Sequence, residues 1–432
     1  MSASLSKGWV VTLAGTGINL ALGVLYSWSV IAKALTKDWG WTAAQASQPY
    51  AVACGVFAIM MVFAGRAQDK FGPRIVAGIG GALTGMGLIL ASFASKSDIT
   101  LMIVGFGILA GTGIGLGYAS ATPPAVKWFP PAKKGMITGI VVSGFGLASV
   151  YIAPLTNTLL KTVLINKTFM ILGIAFFFVS IILAQFLQNP PAGYVPAGMT
   201  SSHAAMNAAS SKKHDYDWHE MMKTPQFYLL WIMFAFASFA GLMIIGHMAK
   251  IAAKQLPGVN LGFLLVAILA IGNASGRIIA GIVSDKLGRT KTMLLVFLLQ
   301  AVLMAVLSRA NTSPLLIIGA LVVGFNYGAN LSLFPTTTAD YFGTKNLGVN
   351  YGLVFTAWGV GGVFGSMVAG KIVDATGSYS IAFTVAAVLC VAAAGVTFIT
   401  KAPKTISIEK PVMAGMPQMV NPLINEKKSR RK

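Results

Sequence analysis

Arg277 is the side chain with the most sharply defined chemical task. It lies in the stretch 261–289, which opens as the apolar run Leu261-Gly-Phe-Leu-Leu-Val-Ala-Ile-Leu-Ala-Ile-Gly272 and continues as Asn273-Ala-Ser-Gly-Arg277. The stretch then turns apolar again and ends in Ser284-Asp-Lys-Leu-Gly-Arg289. The apolar length suits one helix across a bilayer. Arg277 precedes Asp285 by eight residues, which is about 12 Å at the helical rise. Half of a hydrocarbon core is about 15 Å, so the guanidinium is expected near mid-membrane. A charge there costs about 2.5–3.5 kcal/mol even on the lenient insertion scale. It must face the protein interior or a wet cavity, and it needs an anionic partner. The alternatives are a buried carboxylate of the chain, a place nearer the interface, or a visiting anion, whose carboxylate the planar fork of donors would match bidentately.

The acid census narrows these options. The chain has 11 Asp and Glu, and all can be placed outside the hydrocarbon, with Asp340 and Asp374 nearest to span ends. Asn273 sits one turn before Arg277 and shares its face. Its amide can donate to a hydroxyl or carboxylate. Gly272, Gly276 and Ala280 form a neighbouring stripe that admits a second helix at close range. Tyr118 and Tyr327 occupy matching places in two Gly-rich runs, and each could offer a hydroxyl; core packing with a satisfied hydroxyl is an equal reading for both. Tyr26 and Trp28 are possible wall residues of the same site. His247 is the histidine that falls within an apolar run, near its outer end, and is the candidate for proton coupling. Lys250, Lys254 and Lys371 could form an outer basic funnel for anions, or simply be solvated.

These residues need a frame. Of 432 residues, 56% are hydrophobic and 10% charged, against about 25% charged in soluble domains. The apolar runs are about 20 residues long, which favours helices over barrel strands, so the expected class is an all-α membrane protein. We expect twelve spans, at 8–32, 44–65, 75–95, 99–126, 136–160, 168–187, 226–250, 261–284, 292–310, 313–336, 347–370 and 379–400. The first span follows a short start without a cleavage site and is expected to serve as the insertion signal.

The division expected is an N-terminal six-helix half at 1–187, a solvent-exposed cytoplasmic linker at 188–224, a C-terminal half at 225–401 and a basic tail at 402–432. A short amphipathic helix is expected near 216–222. With both termini cytoplasmic, inner segments hold 22 Lys and Arg and outer segments nine, which sets the orientation by the positive-inside rule. The net charge of +21 is thereby explained without nucleic acid. Cys54 and Cys390 lie within apolar runs and suggest neither a metal nor a disulfide. No cofactor loop stands out. Gly365-Ser-Met-Val-Ala-Gly370-Lys371-Ile372 nearly spells a phosphate loop, but Ile replaces the Ser or Thr that holds magnesium.

The chain also repeats itself. Gly65-Arg-Ala-Gln-Asp69-Lys70-Phe-Gly-Pro-Arg74 follows the second span, and Gly281-Ile-Val-Ser-Asp285-Lys286-Leu-Gly-Arg289 follows the eighth. The two aspartates are 216 residues apart, half the chain. Tyr118, Trp128-Phe129 and Gly144 are echoed by Tyr327, Tyr341-Phe342 and Gly359. Two pseudo-symmetric halves with a binding site between them near the midplane is the economical architecture.

The paired Gly-x-x-x-Asp-Lys-x-Gly loops within twelve spans resemble the major facilitator superfamily. That resemblance implies that the loops lock helix ends together on the cytoplasmic side in one conformation. Trp128-Phe-Pro-Pro-Ala-Lys-Lys-Gly135-Met-Ile-Thr-Gly139 resembles the fifth-span signature of the monocarboxylate transporter family. With Tyr26-Ser-Trp-Ser29 and Asn189-Pro-Pro-Ala-Gly193, it also resembles the bacterial oxalate/formate antiporter-type branch. The resemblance implies a bacterial inner-membrane carrier, monomeric and without cofactor, moving a small monocarboxylate such as L-lactate with a proton, or exchanging anions.

In that family an arginine of the eighth span anchors the substrate, which points to Arg277. Animal members have an aspartate where this chain has Asn273, and their first-span acidic signature is replaced here by Gly15-Thr-Gly-Ile-Asn19. Oxalate carriers have a lysine where this chain has Trp358, and the run 351–370 carries no charge. One cation and an indole suit a singly charged anion with an apolar end.

Overall fold

Long apolar sequence becomes long helix because the bilayer leaves backbone polar groups no partner but one another. The computed structural model describes residues 3–130, 134–191, 194, 214–259, 261–343 and 346–403. Within them, twelve helices are long and apolar enough to span a membrane. Spans 1 to 6 are Lys7–Asp38, Ala43–Gln68, Pro73–Ala91, Thr100–Lys127, Met136–Thr162 and Leu164–Ala184. Spans 7 to 12 are Pro225–Gln255, Gly262–Leu287, Arg289–Leu307, Ser313–Phe342, Leu347–Thr376 and Ser380–Ile399. An even number of crossings puts both chain ends on one face, called here the terminal face. The expected tail lies outside the described residues from 404 onward, and so does most of the expected linker.

Local chemistry sets the helix ends. Thr42 opens span 2 with a reciprocal capping box to Gln45, and Thr224 caps span 7. The repeated loops end in glycines of the same conformation, Gly72 at φ +82 and Gly288 at φ +92. Side chains avoid that region, which explains why both loop copies close on glycine.

Span 1 departs from expectation. It is not one continuous α-helix but tightens into a 3-10 segment at Gly23–Ser27 before resuming at Trp28–Asp38. The helix ends of that break lie within the protein, and all five of its residues are buried. Tyr26 sits on it.

Small residues decide the closest packing. A Cβ at Gly272 would meet the backbone of Leu321, and one at Gly276 that of Phe325. Reciprocally, Gly324 faces the backbone of Leu269 and Gly328 that of Asn273. Spans 8 and 10 are thus joined along a seam of backbone contact. The partner of the Gly272 stripe is span 10.

Several contacts tie spans 1–6 to spans 7–12, among them the following three. Span 2 lies along span 11, with Ala58 against Gly359 and Cys54 against Gly362. Span 5 lies against span 8 at Gly146. On the face opposite the chain ends, Asp374 of span 11 accepts hydrogen bonds from the backbone of Ala43 and Ala44, each at 2.8 Å. That is a carboxylate on a helix N-terminus, where free N–H groups and the dipole both favour it. Asp374→Ala is therefore expected to loosen this contact. A cysteine introduced at the buried Ser47 would then react several-fold faster with maleimide in detergent, and an unchanged rate would show that the clasp does not hold this face closed.

The linker is held at both ends rather than free in solvent as expected. Trp128 donates from its indole to the Gln188 carbonyl at 2.9 Å, and the Tyr194 hydroxyl returns a bond to the Trp128 carbonyl. At the far end Tyr216 is buried. Its N–H reaches the Phe342 carbonyl, and its own carbonyl accepts from Asn346 and Asn350. The short helix expected there forms at Trp218–Met222, started by a capping box between Asp217 and Glu220. The echoed aromatic pairs 128–129 and 341–342 therefore lie where the two ends of the linker attach.

Candidate functional site

Arg277 is buried in span 8, at 6% exposure. Its Nε donates to Asn273 Oδ1 at 3.0 Å, one turn back, and its Nη1 donates to the Val142 carbonyl of span 5 at 2.8 Å. Among the described residues no carboxylate pairs with it. Nη2 of Arg277 and Nδ2 of Asn273 have no hydrogen-bond partner. Two bonds therefore hold the guanidinium plane and leave one edge as a fixed, dry donor. Gly146 of span 5 lies beside this pair: a Cβ there would touch the Asn273 amide at 3.4 Å and Arg277 Cζ at 3.6 Å, ordinary contact distances.

Tyrosines surround the cation. Tyr118, Tyr26 and Tyr327 all lie within its electrostatic reach, Tyr118 nearest in effect. Tyr26 and Tyr327 share a hydrogen bond of 2.9 Å between their hydroxyls, across 301 positions of sequence. The Trp358 indole donates to the Tyr327 hydroxyl at 2.7 Å. Beyond the polar groups stands an aromatic wall. Phe145 contacts Tyr26 and Tyr118 at ring separations of 5.0 and 5.1 Å. Phe57 contacts Trp358 at 5.0 Å, and Phe355 stacks on Trp358 at 5.0 Å. Such an arrangement can take one negative charge and an apolar remainder.

The structure thus brings Arg277, Asn273, Tyr118, Tyr26, Tyr327 and Trp358 into one cluster. It does not bring Trp28 there: that indole packs on Phe106 and donates to the Ala46 carbonyl. Sequence reasoning missed Val142, Phe57, Phe145 and Phe355. Phe355 had a signal, since Tyr351, Phe355 and Trp358 recur on one helical face. The Val142 carbonyl had none, because any residue supplies one.

His247 is placed elsewhere. It is fully buried rather than interfacial, and its ring bonds the Tyr379 hydroxyl through Nδ1 and the Ser366 carbonyl through Nε2, each at 3.0 Å. Lys250 is also buried, at 7% exposure, so it does not stand in an open funnel; its neighbour in span 7 is packed against span 8, Ala249 against Gly262. Lys254 is exposed and donates to the Gly377 carbonyl, and Lys371 is exposed.

The repeated loops lie on the terminal face. In the second, Arg289 pairs with Asp285 at 2.7 Å and with Asp340 at 2.9 Å. These bonds join spans 8, 9 and 10 to one another, so this copy clamps helix ends within its own half. Lys286 is exposed and Gly281 faces the Ser332 hydroxyl. In the first loop Lys70 lies over the Phe71 ring at 5.3 Å, Arg74 is exposed, and Gly65 has open space around it. The Asp69 side chain lies outside the described residues.

Twelve spans pack around an enclosed cation that no acidic side chain among the described residues neutralises. The sequence profile of the Major Facilitator Superfamily matches residues 10–276 and 251–429. The chain belongs to that superfamily and is a multi-pass membrane transporter. The uncharacterized MFS-type transporter YhjX of Escherichia coli (strain K12) is 31% identical over 357 residues, covering 82% of this chain and 85% of that one. The oxalate:formate antiporter of Oxalobacter formigenes is 30% identical, over 85% of this chain and 84% of its own. Monocarboxylate transporter 12 of Xenopus laevis is 27% identical, over 71% and 69%. A solved bacterial homologue of the human lysosomal transporter Spinster, in an inward-facing and unoccupied conformation, shares the fold. Its TM-score is 0.63 at 18% identity, covering 93% of this chain and 97% of that one.

Proposed function

We propose that the chain carries a small monocarboxylate, such as L-lactate or pyruvate, together with a proton, by alternating access in a bacterial inner membrane with both chain ends in the cytoplasm. The observation that carries this reading is the buried Arg277 at the junction of spans 5 and 8, with Nη2 unbonded and no carboxylate among the described residues beside it. A fixed guanidinium binds a carboxylate through two parallel bonds. The aromatic wall suits the carbon end, and the uncharged run around Trp358 suits one negative charge rather than two. The similarity to monocarboxylate transporters supports the substrate class.

The test is uptake into proteoliposomes under an imposed pH gradient, with acetate, glycolate, pyruvate, L-lactate, formate and oxalate as competitors. Saturable uptake driven by outside acid and inhibited by the monocarboxylates is expected. No saturable uptake of any of them would overturn the reading. A second reading, exchange of the oxalate/formate type, draws on the 30% identical antiporter; uptake that requires a carboxylate loaded inside would favour it.

For the proton, His247 is the group we assign. A carbonyl only accepts, so Nε2 carries the hydrogen toward Ser366, and Nδ1 accepts from the Tyr379 hydroxyl. Nδ1 can take a second proton if Tyr379 turns its hydroxyl away. His247→Gln is expected to abolish the acceleration by outside acid while leaving carboxylate exchange. Unchanged acid-driven uptake would remove His247 from the coupling.

A further inference from the structure

The hydroxyls of Tyr26 and Tyr327 have a direction as well as a distance. An indole N–H can only donate, so the 2.7 Å bond from Trp358 occupies a lone pair of the Tyr327 oxygen. Tyr327 owns one proton. The acceptor it meets is the Tyr26 oxygen, at 2.9 Å. If that bond ran the other way, Tyr327 would accept twice and its own O–H would find no acceptor, since Tyr26 and Trp358 are its polar neighbours, whereas the Tyr26 O–H has the Asn273 amide beside it. Trp358, Tyr327 and Tyr26 are 1%, 2% and 3% exposed, so water would not relieve it, and buried polar hydrogens are rarely left without partners. The chain therefore runs from Trp358 to Tyr327 to Tyr26.

We propose that Trp358 is a positioning residue for anion binding: it fixes this chain's direction and thereby frees the Tyr26 hydroxyl proton for the anion at Arg277. This rests on the reading of the Arg277 cluster as an anion site. Besides Tyr327, the polar groups beside Tyr26 are Arg277, Asn273 and, at longer range, Tyr118. Arg277 has donors only, and Asn273 Oδ1, which already accepts from Arg277 Nε, has one lone pair left, so an incoming carboxylate oxygen, a charged and stronger acceptor, would take the Tyr26 proton from that amide. The chain also crosses the molecule. Tyr26 rides on the 3-10 break of span 1, while Tyr327 and Trp358 belong to spans 10 and 11. It is complete only while these spans meet at the level of the site, so binding strength follows the carrier's conformation.

Trp358 also packs between Phe57 and Phe355, and truncating it would confuse packing with hydrogen bonding. The decisive variant replaces its indole by the benzothiophene isostere, which keeps the shape and lacks the N–H. The full chain in proteoliposomes is assayed with whichever of L-lactate, pyruvate, acetate and glycolate gives the largest uptake that Arg277→Lys removes.

The isostere is expected to raise KM about tenfold, the scale of one hydrogen bond to a charge, with maximal rate near that of the wild type. Tyr26→Phe should raise KM alike, and the two together no further than either alone, because Trp358 acts through Tyr26. An unchanged KM in the isostere, or effects that multiply in the double variant, would overturn the chain while leaving the anion site standing. Uptake of all four anions that survives Arg277→Lys would overturn both.

Discussion

Arg277→Lys is expected to lower carboxylate uptake by at least about 100-fold while the protein still inserts and purifies as a single species. The charge is kept, and lysine and arginine cost about the same 2.5–3.5 kcal/mol in a bilayer centre on the insertion scale, so biogenesis has no reason to change. What is lost is geometry. Arginine uses Nε for Asn273 and Nη1 for Val142 and still presents Nη2. An ammonium on a shorter stem cannot meet span 5, the Asn273 oxygen and a substrate from one place. Each hydrogen bond involving a charge is worth about 1.5–3 kcal/mol, so two bonds lost correspond to about two or more decades. Radiolabelled uptake beside a chromatographic profile in detergent checks it. Wild-type uptake by the lysine variant would refute the anchor role.

The second large effect is expected at a residue that touches no substrate. Gly328 lies against the backbone carbonyl of Asn273, closer than any Cβ could stand. Gly328→Ala must therefore push span 8 away from span 10 at the turn that carries Asn273 and, four residues on, Arg277. Overpacking of this kind costs about 1–3 kcal/mol, and here the neighbour is backbone that cannot rotate aside. The melting temperature in detergent is expected to fall by several degrees and uptake by about tenfold, since misplacement by an ångström is costly where geometry does the binding. Gly395→Ala in span 12 is the control, because nothing lies within 4 Å of a Cβ there, and it should match the wild type. Equal behaviour of the two variants would show that the seam has slack.

Much of this was legible before any coordinates. Run length gives spans, and the eight residues from Arg277 to Asp285 put the cation well inside span 8. The repeat of the Asp-Lys loop at half the chain length carries the two-part plan. Even the short helix beside the linker announced itself, because a capping box is local chemistry within four residues. Each of these signals depends on neighbours in sequence.

The rest needed contacts that no local pattern encodes. The sequence offered Lys250 as part of an outer funnel, and packing buried it. It offered a solvent-exposed linker, and Tyr216 turned out to be pinned to spans 10 and 11. It offered Trp358 as a wall for the substrate, and the indole N–H turned out to be spent on Tyr327.

By itself, then, the sequence determined twelve long apolar runs and placed an arginine inside the eighth, eight residues from the nearest acid. Burial cost and helical rise are properties of the residues and their spacing, so no fold is required to read them. Only the tertiary structure decided which groups meet that arginine. The Val142 carbonyl, the Tyr26–Tyr327 bond and the approach of Gly146 to Asn273 join positions 127 to 301 residues apart, and such meetings arise from how helices pack, which the order of residues along any one helix does not contain.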